Sequence, residues 1–599
     1  MKKLKVSFMI IFVFIILIYS NNSIFGQENI DLYPVFKEIN GEKSWGYIDK
    51  EGSYVIEPRF KYAQDFQDNG LAIVETEQLL YGVIDKTGKY IVEPKFQYIC
   101  SFKEGITIAE DKRGYNAINE KGELIFQSDD YISDFNEGKA AFSKSGQSLI
   151  GYINKSGKVI IPLQYQWHKY IDDFQTGKVL VKIDKDTYLL INENNQVLEI
   201  LNYKYLGARN EGFITFRDKV NGKLGYIDEQ GNILVEAKFS DAYPFKNGLA
   251  IVNGAEDTWE REYGVIDTTG NFILKPQYND IKNLGQGLLA VGVAIDEIVN
   301  SQGSVYALVN HQGEFITDFK YYSLSDFNNG LASVSDRRYT FFIDETGNKV
   351  RDLPIVEGIG ELSLTGSLIK AEIDDRLSYL TKSSNIVWEE SRDRNLGNIY
   401  TIVEKKYRPN PTVLIYYPKL IGIEDNKIER RVNNRLKNIA IGNFIDINFD
   451  EDLYYDYQAE FEIEFYNKSL LVLEFSSYEY PFGAAHGMPS LDYLHIDLKS
   501  GEFYNLSDLF KANSDYVSII TKLIKEEIES QGEDSMIWLD EYQGIEGNQN
   551  FILGEEALSI YFYPYQIAPY SEGFPTFKIP YTKLDNIINK SGELWNSFN

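Results

Sequence analysis

Short apolar runs alternate with polar turns over the first two thirds of the chain, and one arrangement recurs. It reads Trp45-Gly46-Tyr47-Ile48-Asp49-Lys50-Glu51-Gly52, then Tyr81-Gly82-Val83-Ile84-Asp85-Lys86-Thr87-Gly88. Further copies carry Gly151-Tyr152-Ile153-Asn154, Gly225-Tyr226-Ile227-Asp228 and Gly264-Val265-Ile266-Asp267. The closing residues are Gly52, Gly88, Gly122, Gly157, Asn195, Gly231, Gly270, Gly313 and Gly347, spaced about 37 residues apart. A tenth, eroded copy runs from Leu377 to Ser384. Each turn opens with Asp or Asn: Asp49, Asp85, Asn119, Asn154, Asn192, Asp228, Asp267, Asn310 and Asp344. Such a side chain accepts hydrogen bonds from the turn backbone, and a closing Gly supplies positive φ for a bulged hairpin turn. Asn195 replaces Gly once and is the next best residue for left-handed backbone.

The rest of each copy is also extended. A β-branched run follows the turn and often meets proline, as in Ile56-Glu57-Pro58, Ile91-Val92-Glu93-Pro94 and Ile160-Ile161-Pro162. Proline ends a strand or marks a sheet edge. A Phe-x-x-Gly-Leu-Ala link then opens the next copy, at Phe245 with Gly248 and at Phe327 with Gly330; Phe66 and Gly70 form the same link with one extra residue. Three short strands per copy are too few to bury a face alone, so neighbours must stack. Trp45, Tyr47, Tyr81, Tyr152 and Tyr226 recur in phase, as a core ladder requires.

From about Asn395 the period changes. Asn426 to Ile441 carries Ile428, Val432, Leu436 and Ile439 at helical spacing. Asp515 to Ser530 carries Val517, Ile520, Leu523, Ile524 and Ile528, with Ser514 read as the cap. Strand-like runs lie at Val413–Tyr417, Glu460–Phe465, Leu470–Phe475 and Leu558–Tyr563. The expected architecture is an all-β tandem repeat array over 30–390 and an α+β domain over 395–599. The array is expected to be an open solenoid of three-stranded units. The alternative is a closed propeller-like ring, against which nine or ten copies exceed the usual four to eight blades.

Residues 1–26 read as a signal peptide. Three lysines within Met1 to Lys5 precede a 14-residue apolar run, Val6–Tyr19, and a polar exit, with Gly26 near the cleavage point. The run is shorter than the roughly 20 residues that span a bilayer. The expected location is therefore secreted or cell-envelope associated, with membrane contact only through an uncleaved leader.

A formal charge of −29 argues against nucleic-acid partners, which need a basic face. One cysteine, Cys100, excludes a disulfide scaffold and is expected to be a buried thiol. Four histidines leave little material for zinc chemistry. No cofactor and no metal are expected. His486, Asp492 and His495 do not match a known zinc spacing. The Asp-x-x-Gly turns offer one carboxylate each, where calcium needs several oxygen ligands. No P-loop, Gly-x-Ser-x-Gly element or paired carboxylate site stands out, so no catalytic residue is nominated.

The Trp-Gly or Tyr-Gly pair, the Ile-Asp-x-x-Gly turn and the Phe-x-x-Gly-Leu-Ala link resemble the WG (KWG) repeat family over roughly residues 30–390. The resemblance implies an all-β array without a known catalytic role. A second set of phrases comprises Phe482-Gly483-Ala484-Ala485-His486-Gly487, Leu494-His495-Ile496-Asp497, Leu506-Ser507-Asp508-Leu509-Phe510, Tyr563–Tyr570 and Ile579-Pro580-Tyr581. These resemble the extracytoplasmic domain of RsiV-type anti-sigma factors and the non-catalytic part of PdaC-type deacetylases. In the anti-sigma relatives that domain senses an external protein, lysozyme. Met1 to Lys5 is too short for a sigma-binding segment, and no deacetylase domain is attached, so the resemblance carries over only an extracellular binding or sensing role.

Phe482, His486, Tyr563, Tyr565 and Tyr570 are the candidate ligand-binding residues. Glycines and alanines around His486 allow close approach, and the tyrosines could form an aromatic patch. The expected partner is an extracellular protein or peptidoglycan or another glycan. The alternatives are a cell-wall polymer-modifying enzyme acting through the His486 loop, and a surface-structural protein.

Overall fold

The computed structural model describes residues 31–599 apart from 40–41, 168–171, 218, 297–301, 398, 450–452 and 533–535. The leader lies outside the described residues. The chain is mostly β, built from many small antiparallel sheets, with an α+β region at its carboxyl end. It divides into two compact units, one containing residues up to Lys112 with Ile118–Leu124, the other Arg113–Ala117 with everything from Ile125 onward.

The turn chemistry holds in all nine main copies. Asp228 Oδ1 accepts from Gln230 N at 2.9 Å and Asn232 N at 2.8 Å. The same pair of bonds forms at Asp49, Asp85, Asn119, Asn154, Asn192, Asp267, Asn310 and Asp344. The acceptor is therefore spent on the backbone, which is why Asn serves as well as Asp. In the tenth copy Thr381 Oγ1 accepts from Asn385 N at 3.0 Å, and Ser384 takes φ +68°.

The closing glycine has a second duty. Gly270 stands at φ +80°, and a Cβ there would lie 2.8 Å from Val235 Cγ2 of the preceding copy. Gly231 stands in the same relation to Leu201 and Gly313 to the carbonyl of Ile273. In the first unit Gly122 faces the carbonyl of Ile91. At these four positions the turn lodges against the post-turn strand of the copy before it. The glycine after the first aromatic serves closeness alone: a Cβ on Gly264 would sit 2.7 Å from Leu274 O and 2.8 Å from Pro276 N. The strand pairing slips there, between Tyr263 and Val265, in a β-bulge.

Most sheets have four strands where three were expected. In the second copy the order is Tyr62–Ala63, Leu71–Glu75, Tyr81–Asp85, Tyr90–Phe96. The added strand is the two-residue segment after the proline-bearing run, which pairs Tyr62 with Glu75 and Ala63 with Val74. It is too short to leave a periodic signal.

Apolar clusters form between successive sheets. One joins Leu224, Tyr226, Val235 and Phe239 to Phe245, Ala250, Val252 and Ile266 of the next copy. In the first unit Tyr47, Ile56 and Phe60 pack with Ala72, Val74 and Ile84. Burying one such large side chain contributes about 1.5–3 kcal/mol. Tyr47, Tyr152 and Tyr226 are fully buried. Each places its ring against the link phenylalanine, Phe66, Phe174 or Phe245, and donates its hydroxyl to the backbone carbonyl two residues before that phenylalanine. Trp45 and Tyr81, expected in the same ladder, are only half-buried. Cys100 is half-buried, not buried as expected.

One link carries a charge where the others carry an apolar side chain. Arg209 occupies the phenylalanine position before Gly212 and is 2% exposed. Its guanidinium donates to Asp172 and Glu229, both at 3.0 Å, and to the Lys178 carbonyl at 2.8 Å. Burial pushes the Asp172 carboxyl up to about 6 although Arg209 opposes the shift.

The last small sheet ends at Glu389, and Arg394–Leu396 begins a seven-stranded sheet. Its strands Val413–Ile421 and Tyr455–Asn467 are parallel, and the crossover that parallel pairing requires is helix α1, Asn426–Ile441. Val432, Leu436, Ala440 and Ile441 face the core; Ile439, expected there, is exposed because Ala440 takes the inward position. Helix α2, Tyr516–Gln531, is capped by Asp515, whose side chain accepts from Ser518 N, and not by Ser514. Ile520, Ile524 and Ile528 pack α2 on a second sheet, Phe551–Leu553, Ala557–Tyr561 and Thr576–Pro580.

The tenth copy is tied to the seven-stranded sheet by charge. Asp374, in a hairpin turn at φ +49°, accepts from Arg408 at 2.7 Å and Lys406 at 3.0 Å. Arg376 lies on the ring of Tyr416 and pairs with Glu404 and Glu460.

Replacing Gly264 by Ala should destabilise the chain by about 1–3 kcal/mol, the cost of overpacking against backbone. Gly442→Ala, at a helix end with open space around it, should be close to neutral. Thermal unfolding of both variants checks the difference.

Candidate functional site

Two loops carry the candidate residues. The first, Phe482–Gly487, joins the paired strands Leu470–Pro481 and Met488–Asp497 of the large sheet. The second, Phe562–Pro575, joins Ala557–Tyr561 to Thr576–Pro580 of the small sheet. They belong to different sheets, and side-chain bonds fasten them together. Tyr570 donates its hydroxyl to Gly487 O at 3.1 Å. The Tyr563 hydroxyl lies 3.0 Å from both Leu491 O and Asp492 Oδ1, and Tyr561 reaches Leu491 O at 2.9 Å.

The outcome is an aromatic cluster. The His486 ring lies over Tyr570 with centroids 4.3 Å apart, and Tyr565 stands 5.9 Å from Tyr570. His486 and Tyr565 are exposed, and Tyr570 is half-buried. His486 Nδ1 is 3.0 Å from Gly487 O, which makes Nδ1 the protonated nitrogen in that contact. Tyr563 follows on the same loop but turns inward against Phe574, centroids 5.6 Å apart. Burial pushes its phenol up to about 12. Phe482 is half-buried at the start of its loop with its N–H on Tyr454 O, and among the described residues no ring contact joins it to the other four.

The second loop is stiff. Pro564 and Pro569 restrict it, and Tyr565 N donates to Ala568 O at 3.0 Å. Gln566 Oε1 accepts from Tyr563 N at 2.8 Å. These bonds hold Tyr565 at φ +69°, a region costly for a bulky side chain. Backbone strain of this kind gathers at ligand-binding loops. Sequence reasoning passed over Tyr478, which is 41% exposed and whose hydroxyl accepts from Gly487 N at 2.8 Å. The expected strand ended at Phe475, and the strand observed runs on to Pro481 and carries Tyr478 with it.

His495 does not join His486. It is buried, its ring stacked on Phe551 at 4.0 Å, and its Nε2 accepts from Leu553 N at 3.2 Å. It ties the two sheets together. Burial pushes the imidazole down to about 3, so it is neutral at ordinary pH. Among the described residues no group of three or more His, Cys, Asp or Glu stands together to hold a metal ion.

A small-sheet and large-sheet domain following an array of bulged, turn-closed β copies defines a repeat protein with an appended α+β module. The model described as "WG containing repeat" matches residues 45–79, 81–114, 150–185, 225–253, 263–293 and 306–336. The model described as "Protein of unknown function (DUF3298)" matches residues 507–582. The chain therefore carries six recognised WG repeats and a carboxyl-terminal DUF3298 domain. No curated protein matches it in sequence. Similar solved structures include a DUF3298 family member from Bacteroides fragilis, at 19% identity, covering 33% of this chain and 94% of its own, with a TM-score of 0.25. A DUF3298 family protein from Pseudomonas aeruginosa PAO1 has 18% identity, covering 32% and 94%, with a TM-score of 0.24. Among the described residues no helix is long and apolar enough to cross a membrane.

His495 sets a pH dependence. Its folded pKa lies below the unfolded value of 6.5, so its contribution is complete above pH 6.5 and declines as pH falls toward 3. His495→Gln, which keeps an acceptor and removes the titration, should flatten the loss of stability over that window. Urea unfolding of both proteins from pH 7 to 4 measures it.

Proposed function

We propose that the protein is an exported, non-enzymatic binding protein of the cell envelope. Its repeat array acts as an interaction scaffold, and its terminal domain docks an extracellular protein or a cell-wall glycan. The array is an open stack in this reading, since its nine or ten copies outnumber the blades of ordinary propellers. The observation that carries the reading is the His486–Tyr570–Tyr565 cluster. Two loops from separate sheets are bonded into one stiff support that offers aromatic rings to solvent. Rigid aromatic surface held in advance costs little entropy on binding and is the usual anchor of a recognition site. The turn carboxylates and asparagines accept two backbone bonds each, so these recurring polar groups serve the turns.

The test uses the whole exported chain and a His486→Ala/Tyr570→Ala variant, offered purified peptidoglycan and, separately, the secreted protein fraction of the same cells. Wild type should be retained on one of them, and the variant should lose about tenfold or more in affinity, or ~1.4 kcal/mol. Release of soluble wall fragments by wild type, abolished in the variant, would establish the enzyme alternative instead.

A further inference from the structure

A cleft of about 290 Å³ opens beside Tyr563, on the same loop that carries Tyr565 and Tyr570. Its size falls just under the range of small-molecule sites, which run from roughly 300 to 1,000 Å³. It has room for a ring or two and not for a protein loop. Gln543, Asn548 and Gln566 line it together with Glu541, Glu546 and Tyr563. Among the described residues no Lys, Arg or His lines it.

The polar groups there are available. Gln566 spends Oε1 on Tyr563 N, leaving its Nε2 as a donor. Gln543 spends Nε2 on Asp540 O, leaving its Oε1 as an acceptor. The floor is fixed by Gln549, which is buried and bonded to Tyr561 O at 3.0 Å through Nε2. Planar amides that donate and accept, carboxylates that accept, and a neighbouring tyrosine suit a ligand presenting many hydroxyls and an apolar ring face. Two carboxylates without a neighbouring cation repel phosphate or uronate polymers.

We propose that this cleft binds one sugar residue of an uncharged glycan, with Asn548, Gln543 and Gln566 bonding its hydroxyl or acetamido groups and Tyr563 lining its ring face. The inference rests on the binding role proposed for the terminal domain and names the ligand class of that surface. Tyr565 and Tyr570 share a loop with Tyr563 and Gln566, so the cleft and the exposed rings are carried by one connected stretch of chain.

The test is titration of the whole chain with the β-1,4-linked tetramer of N-acetylglucosamine, the β-1,4-linked tetramer of glucose and a glycerol-phosphate oligomer. Calorimetry is the readout, with an Asn548→Ala/Gln566→Ala variant run beside wild type. Asn548 is exposed, so its truncation should leave the fold intact, and a thermal melt checks this. Gln566→Glu is a second variant that keeps the Oε1 acceptor. Saturable binding of an uncharged tetramer, weakened at least tenfold in both variants and absent for the glycerol-phosphate oligomer, supports the cleft. Binding that the variants leave unchanged, equal binding of the anionic oligomer, or no binding of either tetramer overturns it. If wild type is still retained by wall material or a secreted protein through His486 and Tyr570 while neither tetramer binds, the glycan inference fails and the docking role stands. Loss of both fails both.

Discussion

The fold depends on one close approach, that of a closing turn onto the strand of the copy before it. The Asx side chain pins the turn from inside, through two backbone bonds. The glycine lets the turn reach the neighbour, as Gly270 reaches Val235. Neither sheet of a pair has a complete core alone, because Tyr226, Val235 and Phe239 find their partners in Phe245, Val252 and Ile266. Each sheet therefore draws part of its core from the next copy. At its far end the tenth copy meets a sheet of another kind, and there ion pairs around Asp374 and Arg376 replace the turn-on-strand contact.

Local chemistry was legible in the sequence and long-range chemistry was not. The turn at every main copy follows from Asp or Asn with Gly or Asn, because those bonds span four residues. Helix α1 follows from its spacing, although Ala440 and not Ile439 faces inward, since a small residue leaves no strong signal. Arg209 drew no expectation from the sequence. Its burial depends on Asp172, 37 residues away, and Glu229, 20 residues away. The two-residue fourth strand was missed because it is shorter than any period.

The candidate site divides in the same way. His486, Tyr565 and Tyr570 come together because small residues and prolines shape their loops, features visible in the sequence. Phe482 shares the phrase with His486 yet stays apart, and Tyr563 is drawn inward by Leu491 and Asp492 of another sheet. His495, nine residues from His486, faces Phe551 and serves the joint between sheets. A stiff aromatic surface and an amide-lined cleft are the features behind the binding role proposed for the terminal domain.

The central claim is that each copy is held by its neighbour. Native-state hydrogen exchange of a Gly270→Val variant tests it most directly. The added side chain would collide with Val235 of the preceding copy. The account predicts lost protection in Ile233–Phe239 as well as in Phe272–Tyr278. Loss confined to Phe272–Tyr278, with Ile233–Phe239 unchanged, would contradict it.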